Sequence, residues 1–388
     1  MSTTSSGAGG SLWLATAQPA VYRALDVDLE VDVAVIGGGI AGMSTALALK
    51  RDGARVAVLE RGVVAGGATG FTTAKVSALQ GTQLSAVHKL HGDTGAAAYA
   101  QASLAAVERI SALVKEEGIE CGWERATAYT YAAGDAQVEA VEQEAEVARA
   151  AGLDVETTGE TPLPFAVPLA VRLEHQAQFH PVRYVHGLAA AVNGGGSFVF
   201  ESTAVTGVHE GSPCRVTVDG GATVAARDVV VTTNYPLLDR GLFFARTEAG
   251  RSYVVAARVR GAAPEGMLLS AGEPSRSVRS FRDGDDTWLL VGGEGHLTGS
   301  AKAQLRDDRR RGVGRPAGRA REPTRGRLRP QPRQYARRAR PGQGAAMGRA
   351  SSGRRPPRVR GRAVAGRGPR GGGPSGALPP GQDRRLPR

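Results

Sequence analysis

The sequence predicts an α/β protein with a parallel sheet, a second sheet of mixed or antiparallel strands, and a disordered tail rich in Arg, Pro and Gly. Three observations predict it. A short apolar run at residues 33–36 leads directly into a glycine-rich turn and a helix-like segment. Strand-like runs dominate again from residue 198 to residue 292. From residue 301 the composition changes abruptly: the last 88 residues hold 26 Lys and Arg against 4 acids.

The first element, Val33-Ala34-Val35-Ile36, is apolar throughout and rich in β-branched residues, as expected of a parallel strand buried on both faces. It runs into Gly37-Gly38-Gly39-Ile40-Ala41-Gly42, which matches G-x-G-x-x-G. Residues 43–50 have helical composition, Gly53 can end that helix, and residues 55–59 form a second strand closed by Glu60. Strand, glycines, helix, strand and acid within thirty residues predict a Rossmann-like dinucleotide site. Gly37 permits the tight turn, Gly39 lets the backbone approach a pyrophosphate, and Gly42 lets helix and strand pack closely. The pyrophosphate charge sits at the N-terminus of the helix that follows. Glu60 can accept hydrogen bonds from ribose hydroxyls, and an acid there disfavours a 2′-phosphate and hence NADP. The motif alone does not choose between FAD and NAD.

The net charge of +12 conceals two different polymers. Residues 1–300 carry a charge of −10 and residues 301–388 carry +22, with 12 of the 21 prolines and no Ile, Phe or Trp. Such a segment buries too little apolar area to offset its ordering entropy, so disorder is expected. A shift of reading frame in a GC-rich gene explains the composition. A natural disordered tail and an Arg-rich nucleic-acid arm are the other readings, and a single aromatic, Tyr335, for base stacking speaks against the arm. Two cysteines, Cys121 and Cys214, exclude a disulfide scaffold and suit a reducing cytoplasm. No apolar run of membrane-spanning length and no signal peptide are expected.

Beyond Glu60 the residues Arg61-Gly62-Val63-Val64-Ala65-Gly66-Gly67-Ala68-Thr69-Gly70 and Phe71-Thr72-Thr73-Ala74-Lys75 resemble the FAD-dependent oxidoreductases of the D-amino-acid oxidase and glycine oxidase superfamily. The bacterial subgroup often fused to a C-terminal Rieske domain is the most similar. Ser11-Leu12-Trp13, Gln178-Phe179-His180-Pro181 and Gly292-Gly293-Glu294-Gly295-His296 extend the resemblance over residues 11–299. It implies FAD as cofactor, bound through Gly37, Gly39, Ile40, Ala41, Gly42, Glu60, Arg61, Gly67, Ala68, Thr69, Thr72 and Thr73. Val205 is implied to meet adenine, and Thr232 at a strand end to pass near the pyrophosphate. The organisation follows: an N-terminal segment 1–28, and an FAD-binding domain 29–240 with part of a substrate domain interleaved at about 90–180. Substrate-domain strands then occupy 241–300 and the basic tail 301–388. After residue 300 the family's FAD-closing segment and any Rieske Cys/His pairs are not seen. Weak FAD retention is therefore expected of this chain.

The resemblance implies oxidation of an amine or amino-acid C–N bond by hydride transfer to flavin. The electron acceptor and oligomeric state stay open. Lys75, in a loop beside the flavin, is the candidate charge for the reduced ring. His180 starts a helix near the domain junction. Arg251 and Tyr253, two apart on a strand and so on one face, are candidates for a substrate carboxylate. The remaining histidines show no metal-ligand spacing, and no metal site is expected. Helices at residues 96–117 and 135–151 are expected to pack without chemistry. An NAD-linked dehydrogenase and a non-catalytic nucleic-acid-binding protein are the alternatives.

Overall fold

The computed structural model describes residues 10–298, apart from 236 and 239–241, together with the pair Arg337–Arg338. After a short helix α1 (Leu12–Thr16), β1 (Leu29–Ile36) enters the centre of a six-stranded sheet. Helix α2 (Ile40–Arg51) returns the chain to β2 (Val56–Leu59), which lies parallel to β1 with Val33 opposite Val56 and Ile36 opposite Leu59. A 3₁₀ turn (Ala68–Phe71) and β3 (Lys75–Val76) lead away from this sheet. They are followed by α3 (Gln83–Glu116), β4 (Glu124–Tyr131), α4 (Val138–Ala150), β5 (Val155–Thr158) and β6 (Ala170–Gln178). Helix α5 (Pro181–Val192) brings the chain back to β7 (Phe198–Phe200), β8 (Val205–His209), β9 (Cys214–Val218) and β10 (Thr223–Val231). Then come α6 (Phe243–Arg246), β11 (Thr247–Glu248), β12 (Gly250–Val259), β13 (Met267–Ser270), β14 (Ser277–Asp283) and β15 (Asp286–Leu297).

The first sheet has the order β7-β2-β1-β10-β9-β8. Its first four strands are parallel, and β10, β9 and β8 are antiparallel. Val33, Val35, Val56 and Val58 pack on Met43, Ala46 and Leu47 of α2 and on Val182, Val185 and Leu188 of α5. The alternate residues Ala34, Ile36, Ala57 and Leu59 join Phe200, Val216 and Val224 in a second cluster. Burial on both faces is why residues 33–36 are apolar without alternation. Residues 223–231 form a single strand. Its first half pairs antiparallel with β9 while its full length pairs parallel with β1.

The second sheet is mixed, with the order β12-β15-β14-β13-β4-β6-β3 and β5 on the side of β6. Only β13 and β4 are parallel neighbours among the described residues. Helices α3 and α4 cover part of it through Ala96, Ala100, Val141, Ala145 and Ala148, packed against Ala128, Val171 and Met267. Helix α3 begins at Gln83 rather than near 96, and Gly92 (φ 64°, ψ −169°) breaks its line. That glycine let the first turns escape a reading based on continuous periodicity. No helix among the described residues is long and apolar enough to cross a membrane.

Of the basic segment, only Arg337–Arg338 is described, antiparallel to Thr247–Glu248. The expectations of a disordered tail and of a nucleic-acid arm otherwise lie outside the described residues.

Candidate cofactor and substrate site

The cradle is made of backbone. Gly37 has φ 111°, in the region that favours glycine, and turns β1 into α2. A Cβ on Gly42 would collide with the Gly37 carbonyl oxygen, and one on Gly39 would lie 3.2 Å from Thr69 Oγ1. Helix α2 has no side-chain cap and no acid in its first turn, so the positive end of the helix is left for an anion. The Ile40 amide donates to Thr69 Oγ1 at 3.2 Å, which brings the Gly67-Ala68-Thr69 segment onto that helix end. Ala41 is exposed, as are Arg61, Gly67 and Ala68.

Glu60 closes the opposite side. Its Oε2 accepts from the Gly38 amide at 2.7 Å and its Oε1 from the Gly62 amide at 2.8 Å. The Thr203 amide donates to the Glu60 carbonyl at 2.9 Å, and Val205 follows two residues later at the start of β8. Thr232 does something that sequence did not show. Its Oγ1 donates to the Ile36 carbonyl at 2.8 Å and reaches the Gly37 carbonyl at 3.2 Å, so it braces the glycine turn from beneath.

Were a dinucleotide to lie with its pyrophosphate at α2 and its adenosine at Glu60, its other half would extend along residues 69–75. That segment is held by an unusual set of bonds. Trp13 Nε1 donates to the Thr72 carbonyl at 2.7 Å. Arg279 Nη1 donates to the Thr73 carbonyl at 3.0 Å and to the Ala74 carbonyl at 2.6 Å. Ala74 sits at φ 55°, strained for a residue with a Cβ, and its amide donates to Thr72 Oγ1 at 3.1 Å. Ser11 ties α1 to the same segment through the Gly70 carbonyl.

Lys75 lies in strand β3, paired with Gln178, rather than in a loop. Its Nζ donates to the Leu268 carbonyl at 2.6 Å, a bond that ties the FAD-side segment to β13. His180 is wholly buried and caps α5: its Nδ1 accepts from the Arg183 amide at 3.2 Å, and its Nε2 is 3.0 Å from Thr16 Oγ1. Burial, with the Arg183 charge adding to it, pushes its imidazole down to about 3, so the ring is neutral at physiological pH. The Trp13 and Phe281 rings pack edge-on against it at 5.0 and 5.7 Å. With both nitrogens engaged inside the protein, His180 positions other groups and does not face an open site.

Arg251 and Tyr253 both lie in β12. Arg251 pairs with His296, and the Tyr253 ring stacks on the His296 ring at 5.3 Å. The Nε of Arg251 is buried without a hydrogen-bond partner. The intervening strand register, however, sends Val254, Gly292 and Ser277 to the opposite face. There a Cβ on Gly292 would lie 3.5 Å from the Thr73 methyl. By strand alternation Tyr253 lies on the face opposite Val254, while a register shift between Arg251 and Tyr253 breaks the regular pairing with β15 at Arg251. The face that meets that segment carries Ser277 and Arg279 instead.

Among the described residues no group of His, Cys, Asp and Glu is arranged to hold a metal. Arg279 was missed by sequence reasoning. Its signal was there, since Ser277, Arg279 and Phe281 alternate onto one face of β14, and Phe281 marks that face as buried.

Comparison with known proteins agrees with this geometry. A family model described as FAD dependent oxidoreductase matches residues 32–378, past the point near residue 299 where the sequence resemblance was expected to stop. A Bacillus subtilis (strain 168) protein described as a putative Rieske 2Fe-2S iron-sulfur protein is 32% identical over 292 residues, which are 75% of this chain and 57% of that protein. The chain thus spans little more than half the length of that relative. Among solved structures, glycine oxidase from Geobacillus kaustophilus superposes with a TM-score of 0.59 at 19% identity, covering 69% of this chain and 72% of that one. L-proline dehydrogenase from P. horikoshii gives 0.55 at 17% identity over 70% and 72%. L-amino acid deaminase from Proteus vulgaris gives 0.54 at 16% identity over 70% and 63%.

Proposed function

Because the chain belongs to the FAD-dependent oxidoreductases, we propose that it oxidises a C–N bond in a small amine or amino acid. The observation that carries the reading is the approach of the mixed sheet to the segment that leaves the dinucleotide cradle, where a Cβ on Gly292 would lie 3.5 Å from the Thr73 methyl. A small substrate held where that segment meets the sheet would be shielded from water. The structures that share the fold are a glycine oxidase, an L-proline dehydrogenase and an L-amino acid deaminase, whose names have an amino-acid substrate in common.

FAD, when bound, supplies the two-electron acceptor for the hydride that leaves the substrate carbon. The residues of this chain do the holding. Gly37, Gly39 and Gly42 give the pyrophosphate room, and the amides of Ile40 and Ala41 face its charge. Glu60 takes the ribose hydroxyls on acceptor positions its two amide bonds leave over, and Val205 borders adenine. Arg61, Gly67, Ala68, Thr69, Thr72 and Thr73 line the way from pyrophosphate to flavin. Lys75 contributes a positive charge where that path meets β13. Tyr253, on the far face of β12, and Arg251, beside the register shift, are reassigned to the packing of the sheet edge. An NAD-linked dehydrogenase is no longer needed, since the matching family is defined by FAD. We also propose a cytoplasmic location, in which the free Cys121 and Cys214 would stay reduced.

The test is anaerobic. The full chain, loaded with FAD, is mixed in turn with glycine, sarcosine, proline, a panel of D- and L-amino acids and simple primary amines. Bleaching of the flavin absorbance by one of them, with release of the matching imine or its hydrolysis products, is the expected result. A chain that binds FAD and is bleached by none of these, but is bleached by alcohols or 2-hydroxy acids, would overturn the C–N assignment.

A further inference from the structure

Arg279 has no carboxylate partner among the described residues, and no part of its side chain reaches solvent. Burying a guanidinium without a counter-charge is costly, and only its hydrogen bonds offset that cost here. Its bonds all go to backbone carbonyls: Thr73, Ala74, a long contact of 3.5 Å to Phe179, and Ser280 through Nε at 3.2 Å. The Trp13 and Phe281 rings lie 5.4 and 5.8 Å from its Cζ and supply the remaining surroundings. Its Nη2 is buried with no hydrogen-bond partner. Burial pushes the group down to about 9, opposed only by the more distant Glu124, so it remains charged at neutral pH. Glu124 itself is occupied by the Gln178 amide at 3.0 Å.

Three consecutive carbonyls, those of Thr72, Thr73 and Ala74, are therefore held by side chains from distant parts of the chain, Trp13 and Arg279. A segment held only for its own stability would satisfy these groups by a ladder or a turn. Here the backbone is pulled into a left-handed residue at Ala74 and kept there by a charged fork. The consequence is that the Thr72 and Thr73 side chains stay on the path that leaves the pyrophosphate cradle.

We propose that Arg279 is the positioning residue of the flavin half-site: it locks the Thr73–Ala74 backbone and holds one uncompensated positive charge beneath that segment. The two effects are separable. The fork sets how well FAD is gripped, and the charge favours the negatively charged, reduced state of the bound cofactor over the oxidised one. The inference rests on FAD binding, and not on the identity of the substrate.

The experiment uses the full chain and two variants, Arg279→Lys and Arg279→Met. Two quantities are read: the affinity for added FAD from quenching of flavin fluorescence, and the midpoint potential of the bound flavin. Arg279→Met, which removes fork and charge, is expected to weaken FAD binding by roughly tenfold or more, the loss of one charge-assisted bond or two. It is also expected to move the potential of what remains bound to more negative values. Arg279→Lys keeps a charge but loses the Nε bond to the Ser280 carbonyl and the rigid planar head that carries Nη1 to the Thr73 and Ala74 carbonyls, so affinity falls while the potential stays near that of the wild type. An ordinary core residue would lower the melting temperature of both variants without separating affinity from potential. Unchanged affinity and potential in both variants, with wild-type binding intact, overturn the proposal alone. Failure of the wild-type chain to bind FAD at all overturns both the proposal and the cofactor site beneath it. Should Arg279→Met not fold, Arg279→Lys decides by itself, since equal affinity to wild type refutes the fork.

Discussion

The dinucleotide cradle and the sheet face that meets it are built by opposite means. The cradle is a set of places where side chains are forbidden, at Gly37, Gly39 and Gly42, and its ligand groups are amides. The sheet face is a set of places where particular side chains reach across to another segment: Trp13 to Thr72, Arg279 to Thr73 and Ala74, and Lys75 to Leu268. A site made by exclusion tolerates nothing larger and depends little on its surroundings. One made by reaching depends on the register of several strands at once.

The largest effect that would break this contrast is in the cradle. Gly42→Ala brings a Cβ onto the Gly37 carbonyl, a backbone atom that cannot rotate away. Helix α2 must lift or the turn must open, at a cost on the order of 3 kcal/mol, which is over a hundredfold in affinity. FAD binding, followed by fluorescence quenching, should disappear while the far-ultraviolet circular dichroism of the fold survives. Binding within a few-fold of wild type would mean the cofactor does not rest on this turn.

A smaller loss is expected at Glu60. Glu60→Ala removes the acceptor for the Gly38 and Gly62 amides together with the acceptor for the ribose. Affinity for FAD should fall by roughly tenfold, about one to two hydrogen bonds to a charged group. Titration with FMN, which lacks the adenosine half, gives the control. If the residue acts on the ribose, Glu60→Ala leaves FMN affinity almost untouched.

The difference in construction also explains what could be read in advance. Residues 29–60 were legible because each glycine has a local backbone cause, and the burial of both faces of β1 forces an apolar run. The second sheet was legible only as a succession of strands. Its active face depends on which strands adjoin and in what register, and neither is written locally. Arg251 and Tyr253 were expected on one face, but the pairing of β12 with β15 shifts register between them, and that pairing decides which face meets Thr73. Lys75 was taken for a loop residue because a two-residue strand carries no period. Arg279 was hidden for a different reason. A buried Arg contradicts the expectation that charge lies outside, and only the alternation with Phe281 hinted that it was inside.

The junction between the two regions also carries a pH dependence, through His180. Its folded value lies near 3, far below the ordinary 6.5. The unfolded chain therefore takes up a proton that the native state refuses anywhere between those values. The stabilising contribution of the neutral ring is complete above about pH 6.5. It declines by at most about 1.4 kcal/mol per pH unit as the pH falls toward 3. Acid carboxylates such as Glu108 and Glu116, held down by Arg125 and Arg51, destabilise the fold over the lower part of that range as well. The test is therefore a difference between two proteins. His180→Asn keeps a side-chain acceptor for the Arg183 amide and removes the titration. Its denaturation free energy should fall less steeply than that of the wild type between pH 6.5 and 4. Parallel curves would show that His180 is not held neutral.

The smallest effect is expected where the sequence had placed a substrate contact. Tyr253 lies on the far face of β12 from Thr73 and Arg251 beside the register shift, so neither Arg251→Met nor Tyr253→Phe should alter FAD affinity or the rate of flavin bleaching by the best amino substrate by more than about twofold. Both should still lower the melting temperature slightly, because Tyr253 loses part of its stacking with His296 and Arg251 loses its packing. A large rise in the substrate concentration needed for half-maximal bleaching, with FAD affinity unchanged, would return the carboxylate contact to Arg251. The substrate would then have to be moved to the other face of the sheet. That outcome would also separate Arg279 from the substrate while leaving its hold on Thr73 and Ala74 intact. The comparison would then be sharper still: one face of β12 and β14 would grip the cofactor, and the other would choose what it oxidises.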